Sequence, residues 1–156
     1  MKDDQTQKKM MPGAKIPYII NAKNTGTTDA YVRVRVWVPD SLFNQKKSNG
    51  ESFDEIEISI PADNDVWELS AGVPVTENGT NKKFVEYIFT YKNVLVKGGT
   101  TSESIDSCIK ILDAATLSDS SDADFRFHVE AIQATGFTNA ADAFAAFNNQ
   151  KNQTNP

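Results

Sequence analysis

The sequence predicts an all-β fold, an antiparallel jelly-roll-like β-sandwich with one short C-terminal helix. Three observations lead there. Apolar and polar residues alternate with period two in several short segments, turn-forming residues separate those segments, and only one stretch, rich in alanine, has helical spacing.

The clearest alternation runs from Tyr31 to Val38, where Val32, Val34, Val36 and Val38 face one way and Tyr31, Arg33, Arg35 and Trp37 the other, the pattern of a half-buried strand. Upstream, Ile16, Tyr18, Ile20 and Ala22 alternate with Pro17, Ile19 and Asn21, and the stretch from Asn24 to Asp29 is rich in turn residues. Residues 16–23 and 30–38 are therefore expected as adjacent antiparallel strands, with Pro17 marking an edge or a strand start. After Pro39 and a polar loop over 44–52, Ile56, Ile58 and Ile60 alternate with Glu55, Glu57 and Ser59, a third strand stopped by Pro61.

A short strand is expected around Trp67 and Leu69. The run from Glu77 to Asn81 is a turn leading into Phe84 to Tyr91, whose aromatic content suits a central strand. Beyond Gly98 and Gly99, alternation at Ile105, Ser107, Ile109 and Ile111, and again at Phe125, Phe127, Val129 and Ala131, supplies two more strands. Ala140, Ala143, Phe144 and Phe147 have helical spacing, with Thr138 or Asn139 available as the cap. Short strands joined by turns, without crossover helices, imply an antiparallel sandwich rather than a parallel sheet.

The chain has 156 residues, within the usual span of one domain of about 100 to 200 residues. The expected division is a polar N-terminal tail over 1–9, a single sandwich domain over 10–147 and a polar C-terminal tail over 148–156. A net charge of −5, without clustered Lys and Arg, argues against a nucleic-acid partner. No apolar run approaches the roughly 20 residues of a membrane helix, and Met1 opens onto a charged stretch rather than a signal peptide. The sequence as it stands is expected to be soluble, with no membrane span.

The residues that could carry chemistry are few. Cys108 is the single cysteine and His128 the single histidine, so neither an internal disulfide nor a conventional zinc cluster can form. Cys108 lacks an evident base and is expected to be an unreactive thiol; His128, beside Arg126 and Glu130, is expected on a solvated strand face. Arg33, Arg35, Glu55, Glu57 and Glu130 lie on polar strand faces, where cross-strand charge pairs would set the register. Asp119, Asp122 and Asp124, close together in a serine-rich loop, are an oxygen-only set of the kind calcium takes, though the loop lacks the glycine and terminal glutamate of an EF-hand. Asp63 and Asp65, near Pro61 and Asn64, suit an ordinary turn better than a cation loop. Trp37, Trp67, Tyr87 and Tyr91 would stack on sugar rings if they shared an exposed face, but alternate aromatics usually fill a core. Two short matches to the glycosylation acceptor pattern, Asn78-Gly79-Thr80 and Asn152-Gln153-Thr154, are no more than chance would supply.

Three blocks in order carry a family resemblance: Met11-Pro12-Gly13 leading to Asn24 through Val36 (NTGTTDAYVRVRV), then Tyr91 through Gly99, then Val129 through Phe137 (VEAIQATGF) followed by Ala140 to Phe147. Together, over about residues 10–147, the chain resembles the TasA and camelysin family. The resemblance implies a jelly-roll-like sandwich, export by a dedicated signal peptidase and, in the best-known members, assembly of secreted subunits into biofilm matrix fibres. The sequence departs from the family pattern in one respect. Members usually carry a signal peptide and one or two strands before the Pro-Gly segment, whereas here Pro12 and Gly13 come almost at once, so either a preceding segment belongs to the native chain or the domain lacks a first strand.

A missing strand would leave unpaired backbone groups and an open apolar groove as a template for another extended segment. The expected function is therefore a secreted structural subunit of extracellular matrix or surface fibres. It would associate with itself through sheet edges and with other matrix or cell-wall components, with no enzymatic role. The alternative is a monomeric cell-surface adhesin or carbohydrate-binding module. Camelysin has been described as a metalloprotease, but this sequence contains no His-Glu-x-x-His helix. No cofactor is expected beyond the possible calcium at Asp119, Asp122 and Asp124.

Overall fold

The computed structural model describes residues 20–112 and 125–153. Among these the chain is mostly β, with antiparallel sheets and one C-terminal helix. The principal sheet holds β1 (Ala30–Pro39), β5 (Trp67–Leu69), β6 (Val73–Thr76), β7 (Lys83–Tyr91) and β9 (Arg126–Gln133). Its order is β5-β7-β1-β9, with β6 following β5 along the same side of β7. Two small ladders complete the strands: β2 (Gln45–Lys46) with β3 (Ser52–Phe53), and β4 (Ile56–Ile58) with β8 (Ile109–Ile111). The helix α1 spans Ala140–Gln153.

The valine alternation in β1 positions the core. Val32, Val34, Val36 and Val38 are buried together with Phe89 and Tyr91 of β7, Trp67 of β5, Ile56 of β4 and Ile109 of β8. The register is consistent with this, since Val34 faces Phe89 and Val36 faces Tyr87 across the β1–β7 ladder. Side chains on one face of a strand repeat every second residue, so this pairing puts the apolar sets of β1 and β7 on the same side. Trp67 is 1% exposed; its indole N–H donates to the Glu103 carbonyl at 2.9 Å and its ring lies 5.1 Å from that of Tyr91. Burying an aromatic of this size contributes about 2 to 3 kcal/mol, provided its N–H finds an acceptor.

The sequence expectations need correction at several points. The described part of the segment over 16–23 does not lie beside β1. Instead Ile20, Ala22 and Asn24 run along the 98–105 stretch, with Thr101 donating its N–H to the Ala22 carbonyl at 2.9 Å and Gly98 donating to Asn24 at 2.8 Å. The neighbours of β1 are β7 and β9. Asn24 ties the following turn together: its side-chain amide donates to the carbonyls of Thr28 and Leu95, both at 2.9 Å, and its Oδ1 accepts from Gly26. Residues Asp106–Cys108 form a single 3-10 turn, so the expected strand from Ile105 shrinks to Ile109–Ile111. Strand β6, which contains Pro74, and the two-residue β2–β3 ladder in the polar loop were not expected from alternation.

The helix was expected over 140–147 and runs on to Gln153. Asn139 is the cap: its Oδ1 accepts the Asp142 N–H at 2.8 Å while its amide donates back to the Asp142 carboxylate at 2.9 Å, a reciprocal closure of the first turn. Ala140, Ala143 and Phe144 form the buried stripe and pack on Tyr31, in agreement with the spacing. No described helix is long and apolar enough to cross a membrane.

Candidate functional site

Two features of the principal sheet stand out, its β9 edge and the face opposite the core. The edge follows from strand order. Among the described strands β9 pairs with β1, and the second side of a strand is where another extended segment can add. The core-facing side chains of β9 are also incompletely covered. Val129 stands opposite Val34 in the ladder, yet Val129 is 49% exposed and Val34 1%. The elements that cover β1 stop short of β9, and Ala131 is exposed as well. Beside them lies a groove of about 270 Å³ bounded by Ala22, Asn24, Thr28, Val32, Val129 and Ala131.

The other edge of the sheet differs. Between β5 and β6 the chain breaks over Ser70 to Gly72. Ser70 keeps the ladder satisfied there, donating its N–H to the Ile88 carbonyl at 3.0 Å and accepting the Ile88 N–H on its hydroxyl at 2.9 Å. Strand β6 then carries Pro74, which has no N–H to offer. Breaks and prolines are ordinary means of blunting an edge.

The face opposite the core was expected to be a solvated row of cross-strand charges, and half of it is not solvated. Arg33 and Glu130 stand opposite each other in the β1–β9 register, are ion-paired, and are only 4% and 7% exposed. Helix α1 covers them. The Arg33 guanidinium lies 4.3 Å from the Phe144 ring centroid and donates to Asn148 Oδ1 at 2.9 Å. Glu130 also meets Arg35 Nε at 3.1 Å and Lys151 Nζ at 3.8 Å. Burial pushes the Glu130 carboxyl up, but the hydrogen bonds and charges of Arg33 and Arg35 together outweigh it and hold the group below the usual carboxylate range. Charge pairing across strands is thus present, as expected, but beneath a helix.

Past the helix, the same face is partly exposed, with the Arg35 and Glu86 side chains at 21% and 17%. Arg35 pairs with Glu86 at 2.8 Å, the Trp37 indole donates to Glu86 at 2.7 Å, and Arg126 pairs with Glu77 while lying 4.9 Å from the Phe84 ring centroid. His128 is exposed beside them, on the face expected for it. Of the four aromatics considered for sugar stacking, Trp67 and Tyr91 are buried in the core and Tyr87 packs against it, leaving Trp37 by itself on the partly exposed face.

Cys108 is 1% exposed within the core. Asp63 and Asp65 are exposed on a turn in which Asn64 donates its N–H to Pro61 at 2.9 Å. Asp119, Asp122 and Asp124 lie outside the described residues; among the described ones, no group of three or more His, Cys, Asp or Glu side chains is placed to hold a metal ion. Glu57 stands opposite Lys110 in the β4–β8 ladder, and Glu55 is buried beside it, where desolvation raises its pKa.

These observations define the chain as a mostly β protein with antiparallel sheets and a capping helix. Comparison with family models, with curated proteins and with solved structures found no match.

Proposed function

We propose that this chain is a secreted structural subunit of extracellular matrix or surface fibres, similar to the TasA and camelysin family, that assembles by strand addition at β9. The reading is carried by one observation: on the core-facing side of β9, Val129 is 49% exposed and Ala131 is exposed as well, beside a groove that runs along the strand. In this reading the principal sheet and the β4–β8 pair, which share Ile56, Ile109 and the β1 valines in one core, are layers of a jelly-roll-like sandwich.

The occupant is the native N-terminal segment of a second copy. An extended segment with apolar residues at alternate positions would add beside β9 and cover Val129 at once. Donor segment and acceptor edge are different surfaces, so the contact is head-to-tail and does not close, which generates a fibre. The blunted β5–β6 edge leaves one direction of growth. The reading gives the chain no chemistry of its own.

Light scattering and negative-stain microscopy of the secreted full-length protein test this against a Val129→Lys/Ala131→Lys variant at matched concentration. Fibres from the wild type, with monomers from the variant at an unchanged unfolding midpoint, support strand addition. Fibres from both, or monomers from both, overturn it.

A further inference from the structure

The partly exposed half of the charged face holds a pocket of about 280 Å³ walled by Arg35, Trp37, Glu86, Arg126, Phe127 and His128. Small-molecule pockets run from roughly 300 to 1,000 Å³, so this one is sized for a single ring. Its walls are held in place by their own contacts. Glu86 receives both the Arg35 guanidinium at 2.8 Å and the Trp37 indole N–H at 2.7 Å, and the Trp37 ring is backed by Phe84 at 5.3 Å. Phe84 is itself buried and lies under the Arg126 guanidinium. A ring and a fork fixed in this way are preorganised, so a ligand would cost little side-chain entropy.

The charges decide which ligand fits. Arg33, Arg35 and Arg126 are ion-paired on this face with Glu77, Glu86 and Glu130, and Lys151 also approaches Glu130. An anion entering the pocket would meet an Arg35 already paired and would approach the Glu86 carboxylate. A hydroxyl group both donates and accepts, and the pocket offers both: Arg35 Nη2, which makes no hydrogen bond among the described residues, the Glu86 carboxylate, and the exposed His128 imidazole. The indole adds a flat apolar surface of the kind that stacks on the C–H face of a sugar.

We propose that this pocket is a saccharide subsite that stacks one neutral pyranose ring of a polysaccharide on Trp37, with Arg35, Glu86 and His128 meeting its hydroxyls. The subsite goes beyond the assembly role and does not depend on it. His128 and Trp37 lie on the face of the sheet opposite Val129 and the groove, so strand addition at the edge would leave the pocket open, and a fibre would carry one such subsite per subunit.

The test is a titration of the protein with hexasaccharides of glucose, galactose and N-acetylglucosamine, and with a galacturonate hexamer as the anionic control, followed by the indole N–H resonances in two-dimensional NMR. At least one neutral hexamer is expected to shift the Trp37 signal at millimolar concentration and to leave that of buried Trp67 in place. Trp37→Ala is expected to weaken the interaction roughly tenfold, and His128→Ala, an exposed position that leaves the fold untouched, roughly threefold. The proposal is overturned if no neutral hexamer moves the Trp37 signal, if only galacturonate does, or if His128→Ala and Trp37→Ala both bind as tightly as the wild type. The outcome is independent of whether fibres form.

Discussion

Replacing Glu130 by alanine removes the carboxylate that Arg33 meets beneath α1. Both side chains are 5% exposed, and removing one partner of a buried pair costs about 3 to 5 kcal/mol, because the other charge stays buried without compensation. The lower end applies here, since Arg33 keeps Asn148 and the Phe144 ring and Arg35 keeps Glu86. With a urea dependence near 2 kcal/mol per molar, a loss of about 3 kcal/mol moves the unfolding midpoint down by roughly 1.5 M. Replacing both partners at once, as Arg33→Met with Glu130→Leu, is expected to stay within about 1 kcal/mol of wild type, because the desolvation of two charges disappears with their attraction. Urea unfolding followed by circular dichroism reads both. A Glu130→Ala midpoint indistinguishable from wild type, or a double variant as unstable as the single one, would refute the reasoning.

The same carboxyl gives a pH dependence. Its folded-state pKa is depressed, so the stability it contributes is fully present above the unfolded value of about 4.3 and is lost as pH falls through the folded value. Wild type is therefore expected to lose urea stability on acidification below about pH 4.3, and Glu130→Gln to lack that part of the loss.

Glu55 behaves oppositely. Burial raises its pKa, so Glu55→Gln is expected to stabilise at pH 7, with the gain vanishing below the ordinary glutamate value of about 4.3; equal midpoints at pH 7 would count against it. Gly72→Ala would put a methyl carbon 2.8 Å from Tyr87 Cζ and from Val85 Cγ1, an overpacking that is expected to cost about 1 to 3 kcal/mol in thermal unfolding. Asn24→Ala leaves the carbonyls of Thr28 and Leu95 without their side-chain donor and is expected to cost about 2 kcal/mol, with faster amide exchange at Gly26 as the local sign. Cys108, 1% exposed, is expected to react with a thiol reagent only at the rate of global unfolding; rapid labelling of the native protein would contradict its placement.

Period-two alternation was enough to locate β1, β4, β7 and β9, because in those segments the side chain's face and its polarity agree. It failed where they do not. Strand β6, with Pro74 and the exposed Val73, owes its place to the ladder with β7 rather than to any apolar pattern. Ile105 and Ile109 are both buried, but a 3-10 turn separates them, so matching polarity did not mean a continuous strand. The buried state of Arg33 and Glu130 left an indirect signal: the stripe of Ala140, Ala143 and Phe144 needed a surface to cover, and the valine face of β1 was already claimed by the core.

Local sequence was enough for the β character of the chain, the inward valine face of β1 and a C-terminal helix capped at Thr138 or Asn139; the structure chose Asn139. These are local properties, set by periodicity and propensity. Tertiary structure alone decided that the 20–24 segment lies along the 98–105 stretch, that Val129 of β9 stays half exposed, and that α1 covers the Arg33–Glu130 pair while Trp37 and Arg35 stay partly exposed. Which strand neighbours which, and which half of a face a helix covers, depend on contacts between residues far apart in sequence, and no local pattern encodes those.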